Sequence, residues 1–146
     1  MDDVDGWAGG SAIPVGFEPR DAGLPFMAAV GPIYIRRAPG PLTFGIGIEQ
    51  RHCNSMKVAH GGMLASLADV VLGVGGLELA GQPGFFVTIS LTTDFVGPAP
   101  LGAWLECVPD LVRRTRTMMF VQGVFRADGK PALRANGVFS LPRAPA

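Results

Sequence analysis

The chain has 146 residues, 48% of them apolar and only 16% charged, with twelve basic side chains balancing twelve acidic ones. That length fits one domain, and without a basic run there is no clustered positive face of the kind nucleic-acid binding needs. So short a chain does not hide that much apolar surface alone, so a homo-oligomer is expected, with the surplus at a subunit interface.

The N-terminal ten residues are acidic and Gly-rich, lacking the basic start and apolar core of a secretory signal. No uninterrupted run of about 18 apolar residues marks a transmembrane helix. A cytoplasmic protein without a membrane partner is therefore expected, with Cys53 and Cys107 as free thiols.

Residues 1–24, rich in Gly, Pro and acid, read as a flexible N-terminal arm, and residues 25–146 as a single domain. Leu24–Val30 suits a short helix, and Ile33–Arg37 starts a strand that Pro39-Gly40-Pro41 breaks. Leu42, Phe44, Ile46 and Ile48 alternate with Thr43, Gly45 and Gly47, which predicts a half-buried strand. Arg51–His60 is polar and irregular, a loop.

A long helix follows, from near Gly61 to about Leu79, with Leu64, Leu67, Val71 and Val74 at spacings of three and four. Gly81-Gln82-Pro83-Gly84 ends it. Strands are expected over Phe85–Phe95, Trp104–Val112, Thr117–Arg126 and Arg134–Leu141. Pro98–Gly102 makes a turn, and Asp128-Gly129-Lys130 a hairpin turn. Short turns favour antiparallel pairing. The class is therefore α+β, one long helix against an antiparallel sheet.

Gly62, Ser66, Asp69, Gly73 and Gly76 share one helix face by their spacing. Interior glycines cost about 1 kcal/mol each relative to Ala, so a face of them implies close approach by another backbone or a ligand. Asp69 sits mid-face between Ala68 and Val70. It is either an ordinary exposed helical acid or a general base or nucleophile, a role that partial desolvation favours by making a carboxylate more basic. His60-Gly61-Gly62 opens the helix. Its free N–H groups carry partial positive charge and suit an oxyanion-type site, although the glycines serve equally well as a tight turn. Gly61 and Asp69 lie about 12 Å apart at 1.5 Å per residue, whereas reacting groups must meet within about 3.5 Å. One chain cannot supply both, but two antiparallel helices in a dimer can.

The run from Asn54 through His60-Gly61-Gly62 to Asp69 resembles the Asn-x5-His-Gly-Gly-x6-Asp pattern of hotdog-fold acyl-CoA thioesterases, most closely the PaaI-like, phenylacetate-pathway group. Thr88–Gly102, ending Asp94-Phe95-Val96-Gly97-Pro98-Ala99-Pro100-Leu101-Gly102, resembles the strand and turn after the helix in that family. The likeness covers roughly residues 30–141. It implies a hotdog fold, a central helix wrapped by a five- to six-stranded antiparallel sheet, paired into dimers and usually tetramers. It implies that Gly61 donates its N–H to the thioester carbonyl, that His60 and Asn54 shape that pocket, and that the partner subunit's Asp69 is nucleophile or general base. Thr88 would stand near the reacting water, with Ser90 as the alternative. Gly62, Ser66 and Ser90 would touch substrate. Coenzyme A would enter as part of the substrate, with no cofactor and no metal.

His52, Cys53, His60 and Asp69 match no common zinc spacing. Cys53 with His60 as base is a second nucleophile reading. A hotdog dehydratase or hydratase, or a non-catalytic acyl-CoA-binding oligomer, are the alternative functions. Phe26, Met27, Trp104 and Met118-Met119-Phe120 either line an acyl pocket or are plain core.

Overall fold

The computed structural model describes residues 12–20 and 25–142. Its elements are β1 (Glu18–Arg20), α1 (Pro25–Val30), β2 (Ile33–Arg36), β3 (Thr43–Gly47), a 3-10 turn (Gln50–His52), α2 (Gly61–Ala80), β4 (Val87–Phe95), β5 (Trp104–Cys107), β6 (Asp110–Arg114), β7 (Met118–Ala127) and β8 (Lys130–Ser140).

The helix α2 starts where His60 holds an extended backbone and its Nδ1 accepts the Gly62 N–H at 2.9 Å. It stops at Gly81, left-handed at φ 62°, whose N–H folds back onto the Glu78 and Leu77 carbonyls. Leu64, Leu67, Val71 and Val74 are buried as their spacing predicts, and so is every residue from Val71 to Leu77. Contrary to the expectation above, α2 is long and apolar enough to cross a membrane. Its apolar surroundings here are the sheet.

The close neighbours that Gly73, Gly75 and Gly76 of α2 admit within the chain are side chains. A Cβ on Gly73 would overlap the Phe86 ring. One on Gly75 would lie 2.6 Å from Pro109 Cγ, and one on Gly76 2.7 Å from Val121 Cγ2. The helix therefore sits deep in the sheet.

The hotdog architecture is present: α2 against an antiparallel sheet in the order β1-β2-β3-β5-β7-β8-β4, with β6 also on β7. Eight strands replace the expected five or six for two reasons. Glu18–Arg20, inside the stretch read as an arm, pairs with β2; the rest of that stretch beyond residues 12–20 lies outside the described residues. The Trp104–Val112 run is two strands, β5 and β6, interrupted at Val108-Pro109. Proline has no N–H for the ladder, and Pro109 packs on Gly75 instead. The β7–β8 turn is the predicted Asp128-Gly129, both at positive φ (46° and 84°). Asp128 Oδ1 accepts the Trp104 N–H at 3.0 Å and stitches the turn to β5.

The half-buried reading of β3 is corrected: Thr43, Phe44, Gly45 and Ile46 are all buried. Phe44 and Ile46 face α2, while the Trp104 ring lies over Gly45 on the outer face. Phe17 and Tyr34 pack on that ring at centroid distances of 5.1 and 5.7 Å. Trp104 is thus outer-layer packing, not an acyl-pocket wall. Phe26 is exposed, and Met119 is core beneath Gly76.

Among the described residues β4 ends the sheet and pairs only with β8, its other edge taking no strand. Val87, Ile89 and Phe95 are 53%, 58% and 54% exposed.

Gly45→Val drives a side chain into the Trp104 ring. The expected loss is about 1–3 kcal/mol, the usual cost of overpacking, measured as a lower urea midpoint with an unchanged slope.

Candidate active site

The loop before α2 is built on His52. Its ring is buried, with Nδ1 accepting the Glu49 N–H at 2.9 Å and Nε2 2.6 Å from the Val30 carbonyl. With Nδ1 as acceptor, Nε2 carries the proton and donates. This ties the 3-10 turn to α1. Arg51 reinforces the tie through the Ala29 and Gly31 carbonyls and pairs with Glu49 at 2.7 Å. The His52 carbonyl then accepts the His60 N–H at 2.8 Å, which sets the residue that begins α2.

Asn54 folds the following turn. Its Oδ1 accepts from Met56 N at 2.9 Å and more weakly from Val58 N at 3.5 Å. The loop docks on the Pro98–Gly102 turn through Ala59 N to Ala99 O, 2.8 Å, and Leu101 N to Lys57 O, 2.9 Å. Asn54 Oδ1 is therefore spent on the loop, which leaves the amide NH2 as its outward-acting end.

At the helix start, His60 caps Gly62, while the Gly61 N–H takes no partner among the described residues. The Phe95 ring stands over Gly61, 3.5 Å from where a Cβ would be. The result is a polarising donor beside an apolar wall.

Two turns further on, Asp69 is half-buried and accepts a 2.6 Å hydrogen bond from Thr88 Oγ1 of β4. Its other oxygen takes no partner among the described residues. A register shift between Thr88 and Ser90 breaks the strand's alternation, so the two hydroxyls are not equivalent. Only Thr88 reaches Asp69. Ser66 turns its hydroxyl back onto the Gly62 carbonyl at 2.9 Å, and Gly62 donates its N–H to His60.

The structure thus joins Asp69 to Thr88 and Asn54 to the loop before His60 and Gly61. It keeps the two groups apart along α2. Phe95 over Gly61 and Phe86 over Gly73 were missed from sequence, because both contacts depend on the register of β4 along the helix.

The competing readings lose ground on geometry. Both His52 ring nitrogens serve the backbone, as does His60 Nδ1. Cys53 Sγ donates to the Glu49 carbonyl at 3.4 Å, and burial pushes its thiol pKa up, the opposite of an activated nucleophile. Burial pushes the Cys107 thiol up to about 12.

The family model of the thioesterase superfamily matches residues 56–132, over half the chain and all of His60–Asp69 and Thr88. The chain belongs to this superfamily. A Pseudomonas aeruginosa protein proposed to be an esterase is 34% identical over 131 residues, 89% of this chain and 98% of that protein. Human acyl-coenzyme A thioesterase 13 is 28% identical over 87 residues, 59% of this chain and 61% of its own. A solved Ralstonia eutropha member, described as related to phenylacetic acid degradation, superposes with a TM-score of 0.69 at 26% identity, covering 81% of this chain and 91% of its own. The PaaI-like hotdog reading of the sequence is thereby borne out.

His52 gives this thioesterase-superfamily chain a pH signature. Desolvation lowers its pKa from the ordinary value near 6.5, outweighing the Val30 bond and Glu49, which raise it. Below about pH 6.5 the unfolded chain then binds the proton that the folded one refuses, so stability is full above that pH and falls as pH drops toward the folded value. Thermal melts at pH 7.5 and 5.5 are expected to show this decline. His52→Gln, less stable throughout, is expected to show a smaller one.

Proposed function

We propose that this chain hydrolyses acyl-CoA thioesters to free acid and CoA at a site shared by two antiparallel copies. The observation that carries the reading is the Asp69 carboxylate, held at one oxygen by Thr88 with the other unengaged.

Asp69 and Gly61 lie eight residues apart on one continuous helix, about 12 Å along its axis, so one copy does not bring them to a single carbonyl. β4 supports the remedy. Among the described residues it has one unpaired edge and exposed apolar side chains, an arrangement that invites another strand. It also carries Thr88 beside Asp69 and Phe95 beside Gly61. Pairing β4 with β4 of a second copy brings the start of one α2 toward the middle of the other.

In that site the Gly61 N–H donates to the thioester oxygen and stabilises the negative charge that grows on it. Thr88 fixes the carboxylate, whose other oxygen does the chemistry. By one route it takes a proton from water while the water oxygen bonds to the acyl carbon. By the other it bonds to the acyl carbon itself, giving an anhydride that water later cleaves. In both, the C–S bond breaks and the thiolate leaves with little acid help, because thiols are fairly acidic. Oxygen-18 from solvent found in Asp69 after one turnover identifies the anhydride route, with water attacking the Asp69 carbonyl.

Asp69→Asn is expected to cut CoA release from the best acyl-CoA by about 10²-fold or more, the scale of a catalytic acid–base group. Wild type that binds acyl-CoA but releases no thiol sinks the hydrolase reading.

Gly61→Pro tests the shared site. Proline suits the first helical position, removing the N–H and setting its ring against Phe95, and His60 already holds the extended backbone that a following proline requires. Each variant alone is expected to be nearly inactive. Their equal mixture, after dissociation and reassembly, should regain about a quarter of wild-type activity, since half the dimers then hold one intact site of two. No regain, with subunit exchange verified, overturns the shared site.

A further inference from the structure

Moving along α2 from Asp69 toward its C-terminal end, Gly73 receives the Phe86 ring, which packs edge-on against Phe139. Past Phe86 a cavity of about 620 Å³ opens, walled by Val74, Leu77, Phe85 and Phe86. That size lies within the usual range for small-molecule sites, and mostly apolar walls with a few polar groups are their usual make-up.

Among the described residues three long polar side chains border the cavity, and two are already matched. Glu78 pairs with Arg37 at 2.6 Å. Gln82 Oε1 accepts from Arg114. The third is Arg20, at the end of β1. Its Nε is cut off from solvent without a hydrogen bond, and the side chain makes no ion pair among the described residues. The helix end does not need it as a cap, because the Gly81 and Gln82 N–H groups close onto the Leu77 carbonyl. Arg36, whose Nε is likewise buried, lays its guanidinium 4.6 Å over the Phe17 ring. Arg20 has no such aromatic face.

An Nε held out of water without a partner is costly, and a planar carboxylate is the group that satisfies the fork of donors of a half-buried guanidinium. We infer that the cavity seats the far end of the acyl group, and that Arg20 selects acyl groups ending in a carboxylate. This rests on the hydrolase reading above and adds its substrate class. Leu77 lies eight residues beyond Asp69, about 12 Å along the helix, so the chosen acyl groups are of medium length, with an apolar middle against Val74 and Phe86.

The test compares two CoA thioesters of equal chain length, one ending in methyl and one in carboxylate. Wild type is expected to favour the carboxylated one in kcat/KM by about tenfold or more, the scale of a charge-assisted pair. Arg20→Gln should bring the ratio toward one, and Arg20→Lys should keep part of it. A wild-type ratio of one or below, or a ratio unmoved by Arg20→Gln, overturns the proposal while leaving the hydrolase reading intact. Equal weakening of both thioesters by Arg20→Gln also overturns it, since Arg20 would then be holding the CoA phosphates. Calorimetric binding of both thioesters to Asp69→Asn, with and without Arg20→Gln, reads the cavity apart from turnover. Discrimination in binding without thiol release from wild type keeps the pocket and discards the hydrolase.

Discussion

Everything else in the fold depends on how deeply α2 sits in the sheet. An ordinary helix keeps its axis 8–10 Å from a neighbour because side chains stand between. Here Gly73, Gly75 and Gly76 remove those spacers, and Phe86, Pro109 and Val121 occupy the space. The glycines weaken the helix locally, but the packing they admit offsets that. The same contacts fix β4 against α2, because Phe86 leads directly into the strand. Thr88, two residues on, reaches Asp69, and Phe95 at the far end covers Gly61. A contact made for packing thus orients the carboxylate.

Periodicity shows what an element buries, and it worked where one face decides. The α2 stripe, the Asp128-Gly129 turn and the antiparallel order were all legible for that reason. The pattern from Asn54 to Asp69 also pointed to the right superfamily, since its spacing reflects a helix start and a face two turns on. β3 misled because its outer face is covered too: Gly45 looked like a gap in an apolar strand, but it is where the Trp104 ring rests. The break at Pro109 was written in the sequence, yet only the packing on Gly75 explains why the strand stops there.

The candidate site could be named from the sequence as a set of residues but not as an arrangement. Thr88 and Ser90 were equivalent candidates until the register shift between them turned only one toward Asp69. Asn54 and His60 were expected to shape the pocket for the thioester carbonyl. Much of their bonding capacity goes into shaping the backbone that presents Gly61. Arg20 carried no signal at all, because its meaning lies in the partners it lacks, and those are invisible until the chain is folded.

The way the duties are divided among strands bears on how such a chain changes over time. β4 holds the carboxylate's partner, the wall over Gly61 and the exposed edge, so a substitution there disturbs several properties together. β1 is joined to the sheet through a single neighbour, β2, and touches neither Asp69 nor Gly61. A strand so loosely bound to the rest can be altered at little cost, and with Arg20 as the proposed selector this would leave substrate preference free to drift or be redesigned apart from the Asp69 site.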